Sequence, residues 1–291
     1  MSKKTKIARL SIFSNSLLIL LKLLTGIISG SISIISEAIH SFMDLLAAII
    51  AFFSVRISDT PADERHPYGH GKFENISGVV EALLIFTAAV WIIYEAILKF
   101  FHPRKLESIE IGILVMIISA VVNIFVSRRL YKVAKETESI ALEADAIHLK
   151  MDVYTSAGVA AGLLLMLAGS FFIQSKFLYY LDPLIAILVA LLILKESYIL
   201  FIKAYSPLLD VSLSQEEITS IRALIDKYCS SNVSYHGLRT RKAGNYKYID
   251  FHLNLSDDMH VREAHDLCDT IENDIKSAFK NSEVTIHVEN F

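Results

Sequence analysis

Two segments of the chain repeat one pattern. SEAIHSFMDLL carries His40 and Asp44, and EADAIHLKMDVY carries His148 and Asp152. Both read H-x-x-x-D within apolar surroundings. In a helix, positions i and i+4 lie one turn apart on the same face. Two such faces brought together supply two imidazoles and two carboxylates. That donor set suits a tetrahedral divalent ion such as zinc, held at about 2.0–2.2 Å by nitrogen and oxygen. The ion's charge offsets the carboxylates, and protons compete with it for the same groups. A site of this kind, opened alternately to either side, could exchange metal for protons. Glu37 and Asp145 each stand three residues before a His. They are either groups beside the ion or, for Asp145 and Glu143, the solvated end of a helix.

A third segment, DERHPYGHGK at 63–72, places Asp63, His66 and His70 at spacings of three and four. The segment packs an Asp, a Glu, an Arg, two His and a Lys between two apolar runs. The same composition also describes a polar loop built on a Pro-Tyr-Gly turn.

These residues need elements to hold them. The chain has 291 residues, 53% of them hydrophobic, which places it in the membrane class. A helix needs roughly 20 apolar residues to cross a bilayer. Six such spans can be drawn, at about 7–28, 33–55, 72–100, 109–130, 140–172 and 184–202. The fifth is longer than a span needs, so its start is expected to project into water. The N-terminal basic flank and apolar run resemble a signal peptide. No small-x-small cleavage site follows closely, so the run reads as a first transmembrane helix. Lys and Arg near the span ends place both termini in the cytosol, with the 57–71 loop, at the cell's inner or plasma membrane.

The composition turns charged near residue 206, which divides the chain into 1–206 and 207–291. In the second part Ile249, Phe251, Leu253 and Leu255 alternate with Tyr248, Asp250, His252 and Asn254, the pattern of a half-buried strand. Val261, Ala264, Cys268, Ile271, Ile275 and Ala278 follow at helical spacing. The predicted order is α-β-β-α-β. The expected fold is therefore an α-helical membrane protein: a six-helix transmembrane bundle followed by a cytosolic, ferredoxin-like α/β domain. The net charge of −3 and the lack of a basic patch with interleaved aromatics exclude nucleic acid as a partner. Cys229 and Cys268 form neither a disulfide framework nor a CxxC site.

HSFMD, DERHPYGHGK, HLKMD, YHGLRTR and IDFHLNL together resemble the cation diffusion facilitator family, over essentially the whole chain. The resemblance implies six spans, a cytosolic tail, a homodimer, and exchange of divalent metal for protons. It implies that His40, Asp44, His148 and Asp152 form the transport site, and that the His version of the second-span motif favours zinc over cadmium. It implies a second metal at Asp63, His66 and His70. Lys72 and Asp210 match a family ion pair where the membrane and soluble parts meet. His236, His252, His265 and His287 match positions that bind regulatory metal at the interface of two tails. Glu289 stands where bacterial zinc members have a shorter Asp, and Val288 where they have a polar ligand. His102 and His260 fall outside these groups.

The leading expectation is thus a zinc/proton antiporter, with other divalent transition metals as further cargo and lipid as its surroundings. An intramembrane metalloenzyme would need an open metal position and a general base. No HExxH occurs, and neither motif has an obvious extra base beside it. A metal-responsive receptor or scaffold without transport is the alternative, but it leaves two mid-span carboxylates without a purpose.

Overall fold

The computed structural model describes residues 3–29, 32–101, 109–154, 157 and 181–290. The first unit, Met1–Ala204, holds six helices among the described residues. They are α1 (Lys3–Ser29), α2 (Ile32–Ser58), α3 (Lys72–Phe101), α4 (Ile109–Thr137), α5 (140–154) and α6 (Leu181–Tyr205, whose last residue begins the second unit). Lys3–Thr25 and Lys72–Leu98 are long and apolar enough to cross a bilayer on composition alone. The far end of the expected fifth span, and His102, lie outside the described residues.

Helix α5 is the centre of the bundle. Ala141, Leu142, Ala146 and Leu149 pack with Ala8 of α1, Val55 of α2, and Val126, Leu130, Val133 and Ala134 of α4. Its other side sends Ala144 and Met151 against Ala82, Ile85 and Ala89 of α3, and Ile193 and Leu200 of α6. Alanine dominates these contacts because apolar lipid gives helices little reason to associate; close backbone approach must supply the packing. Phe13, Leu17, Leu20, Trp91 and Tyr94 instead point outward. This corrects the expectation that the start of the fifth span projects into water. Ile140, Ala141, Leu142 and Ala144 are buried by protein on both sides. Gly78 shows how tight the fit is: a Cβ there would lie 2.7 Å from Ile140 Cγ2 and 3.0 Å from Ala204 Cβ.

Ionic contacts tie neighbouring ends of the helices. Glu74 of α3 accepts from Lys4 Nζ of α1 at 2.8 Å, from Ser58 Oγ of α2 at 2.7 Å, and from the Ser139 hydroxyl before α5. Glu143 of α5 accepts from Lys203 of α6 at 2.6 Å, with Lys135 of α4 at 3.6 Å. The buried, fully partnered Glu74–Lys4 pair fixes one arrangement of helices; breaking it is costly.

The second unit, Tyr205–Phe291, runs through a 3-10 turn (Ser206–Leu209) to α7 (Gln215–Asp226), β1 (Val233–Ala243), β2 (Tyr246–Leu255), α8 (Val261–Ala278) and β3 (Ser282–Asn290). This is the expected α-β-β-α-β order. Ser214 starts α7 with a capping box to Glu217. β1 and β2 are antiparallel around Gly244-Asn245; β2 and β3 are parallel, linked by α8. Ile249, Phe251, Leu253 and Leu255 are buried beneath Ile221 and Ile225 of α7 and Ile271 and Ile275 of α8. Val261 does not join them: at the first position of α8 it is 87% exposed.

Candidate metal centres

Three groups of His and carboxylate side chains converge in the structure. In the bundle, Asp44 of α2 meets His148 and Asp152 of α5, with ligand atoms all within 4.8 Å of one another. Asp44 Oδ1 is 3.0 Å from His148 Nε2, and both residues are buried. Asn15 of α1 holds the backbone of Asp44 through Nδ2 at 3.3 Å. His40 sits four residues before Asp44 on the same helix; its side chain, like that of Glu37, lies outside the described residues. The reading of Asp145 and Glu143 as a solvated helix end is corrected: Asp145 is fully buried, and Glu143 is bonded to Lys203. Sequence reasoning does not single out Glu81. Yet a carboxylate inside the apolar run ISGVVEALLIF is a signal in its own right.

The loop between α2 and α3 brings Asp63, His66 and His70 together within the same limit. Asp63 Oδ1 accepts from the backbone N–H of His66 at 2.6 Å and of Arg65 at 2.9 Å. Those amides, the His66 one first, hold its carboxyl below the ordinary range. His66 Nδ1 and His70 Nε2 lie 3.3 and 3.4 Å from its two oxygens. Gly69 takes a positive φ of 78°, and its N–H donates to His66 O at 2.9 Å, so the Pro-Tyr-Gly turn is what folds the loop back. The turn and the ligand reading are therefore one structure.

In the tail, His236, His252 and His287 occupy one row across β1, β2 and β3. Neighbouring strands stand about 4.8 Å apart, and the ring centroids follow, at 4.9 and 5.0 Å. Glu289, two residues past His287, reaches all three. It lies 2.7 Å from His252 Nδ1, 3.5 Å from His236 Nε2 and 3.6 Å from His287 Nε2. The His252 hydrogen bond is the main reason its carboxyl sits below the ordinary range. A bulge after His236 seats Gly237 at φ +63°, and a Cβ there would lie 3.3 Å from His252 Cδ2. The structure does not bring His265 into this group; it lies exposed on α8, with Asp269 at 3.7 Å. Val288 is exposed beside the row. Asp210 takes a left-handed backbone and lies 3.4 Å from Arg241. Lys72 opens α3. His260 is the N-cap of α8.

These sites coincide with a family match over both units. Residues 8–209 match the cation efflux transmembrane domain, and residues 213–291 match the cation efflux protein cytoplasmic domain. The chain belongs to the cation efflux family. Members of this cation diffusion facilitator family are integral membrane transporters that expel divalent cations. Among its relatives in the family, an uncharacterized transporter of Synechocystis sp., sll1263, is 36% identical over 92% of this chain and 84% of its own length. The cation-efflux pump FieF of Shewanella oneidensis is 32% identical over 96% and 92%. The manganese efflux system protein MneP of Bacillus subtilis is 31% identical over 97% and 95%.

Proposed function

We propose that this cation efflux protein carries zinc out of the cytosol in exchange for protons. It would act as a homodimer of the inner or plasma membrane with both termini cytosolic. The observation that carries the reading is the triad of buried Asp44 and His148 with half-buried Asp152, between two helices of an apolar bundle. His40 would complete four ligands. Two imidazoles favour a borderline ion such as zinc over harder cations, although geometry weighs as much as ligand type. Asp44 and His148 already share a hydrogen bond. Metal and proton are thus alternatives at the same atoms, which is what exchange requires.

The loop triad and the tail row are proposed as regulatory zinc sites. His265 would act only across two tails, and the Lys72–Asp210 pair would help hold the dimer. The experiment is a zinc gradient across vesicles containing the purified protein and a pH dye. Zinc-driven proton counterflow, weakly competed by manganese, is expected. Zinc movement with no proton movement would remove the exchange step. Zinc binding with no flux would replace the transporter by a receptor.

A further inference from the structure

Among the described residues, most buried charges in the bundle are accounted for. Glu74 has Lys4 and two hydroxyls, Glu143 has Lys203, Lys22 donates to Ser41 Oγ at 2.7 Å, and Asp44 has His148. Glu81 of α3 and Asp145 of α5 are different. Both are fully buried. Neither oxygen of Asp145, nor Oε2 of Glu81, has a hydrogen-bond partner among the described residues. The other oxygen of Glu81 has only the Ser77 hydroxyl at 3.4 Å. Ser11 of α1 lies beside Asp145, but its Oγ makes no well-formed bond. An unpaired buried carboxylate costs several kcal/mol, on the order of the whole stability of a domain. Two of them persist only if a proton or a cation neutralises them.

Their location says what that is. Ala82 of α3 and Ala144 of α5, the sequence neighbours of Glu81 and Asp145, belong to one buried cluster. Glu81 lies close enough to feel the charges of Asp145 and His148, and Asp145 those of His148 and Asp44. Asn75 Nδ2 donates to Ala204 O at 3.3 Å, and Glu143 meets Lys203, so the starts of α3 and α5 stand level with the end of α6. That end runs directly into the cytoplasmic domain. Glu81 lies six residues beyond Asn75, roughly 9 Å of helix rise. Asp145 lies three residues before His148. The pair therefore stands between the cytoplasmic end and the ion centre.

We propose that Glu81 and Asp145 form a separate divalent-cation subsite, a staging post on the cytoplasmic approach to Asp44, His148 and Asp152. The inference rests on the transport reading above. Two carboxylates from facing helices make a hard oxygen site. It takes a partly hydrated cation, before the imidazoles strip the remaining water.

The test uses the full-length protein with Glu81→Gln, Asp145→Asn and the double change. Amides keep the shape and remove the buried charge, so each variant folds at least as well as the parent; Asp145→Asn alone suffices if Glu81→Gln does not express. In zinc flux, KM rises about fivefold or more while kcat changes less than about twofold. In a background lacking Asp44, His148 and Asp152, equilibrium dialysis against zinc loses about one equivalent per protomer on adding the double change. Unchanged KM and unchanged stoichiometry overturn the subsite. So does a variant that loses kcat alone, since that places the carboxylates in the proton step. A parent protein with no flux at all fails the transport reading instead.

Discussion

Asp44 and His148, separated by 104 positions in sequence, meet at 3.0 Å in the interior of the bundle. The contact joins α2 to α5, and α5 is the helix that both packing clusters share. Any shift of α5 against α1, α2 and α4 must therefore change the ion centre. Any ion that separates Asp44 from His148 must push on the helix that links the two clusters.

The Glu74 knot is expected to hold the ends of four helices together. Replacing Glu74 by Gln leaves the buried Lys4 with only Asp59, at 3.4 Å, and should cost up to about 3–5 kcal/mol. Thermal unfolding in detergent would show it as a clear drop in midpoint. The double change Lys4→Met with Glu74→Leu should recover most of the loss. If it does not, the hydroxyls of Ser58 and Ser139 matter more than the ion pair.

Gly78 is expected to tolerate no side chain. A Cβ at 2.7 Å from Ile140 must push α5 away from α3. Gly78→Ala should cost about 1–3 kcal/mol and slow transport, since overpacking moves backbone as well as side chains. A variant with parental stability would mean that α5 yields easily here.

Gly237 positions the tail row. Gly237→Ala forces an L-residue into a left-handed backbone and brings its methyl against the His252 ring. Strain of about 1–2 kcal/mol is expected. Zinc titration of the protein should show weaker binding attributable to His236, His252 and Glu289. Replacing His252 and His287 together should go further and abolish zinc-induced association of tails, read by the sedimentation of the full-length dimer.

The loop site should release zinc on acidification because of its imidazoles and not because of Asp63. The Asp63 carboxyl sits below its ordinary value of 3.8, chiefly through the His66 amide. A lowered carboxyl contributes stability above its ordinary value and loses it only as pH falls through the lowered one. Between about pH 7 and pH 5 it stays anionic. Zinc lost in that window from a protein lacking the other sites should therefore titrate away with His66→Ala or His70→Ala. An unchanged release profile in both variants would shift the effect to the carboxylate.

Much of this was legible in the chain because helices and strands repeat. The i, i+4 spacing alone put His148 and Asp152 on one face, and period-two alternation put His252 opposite the buried Phe251. Long-range closure was not legible. Nothing local says that Lys4 meets Glu74, or that Ser139 caps the same carboxylate. Asp145 and Glu143 look like a solvated helix end because sequence shows their charge but not the α1, α3 and α6 packing that buries them. The row of His236, His252 and His287 depends on a bulge at Gly237, and a bulge shifts register without a compositional mark. Glu289 was marked by resemblance, where bacterial zinc members have a shorter Asp; its role as the carboxylate common to three imidazoles comes from strand order.

Zinc flux into vesicles by Asp44→Ala and Asp152→Ala proteins tests the central claim most directly, with zinc binding by the loop and tail measured in the same samples. The account predicts that both variants lose zinc flux and its proton counterflow while loop and tail still bind zinc. Parental flux in either variant, with the protein folded and dimeric, would contradict it.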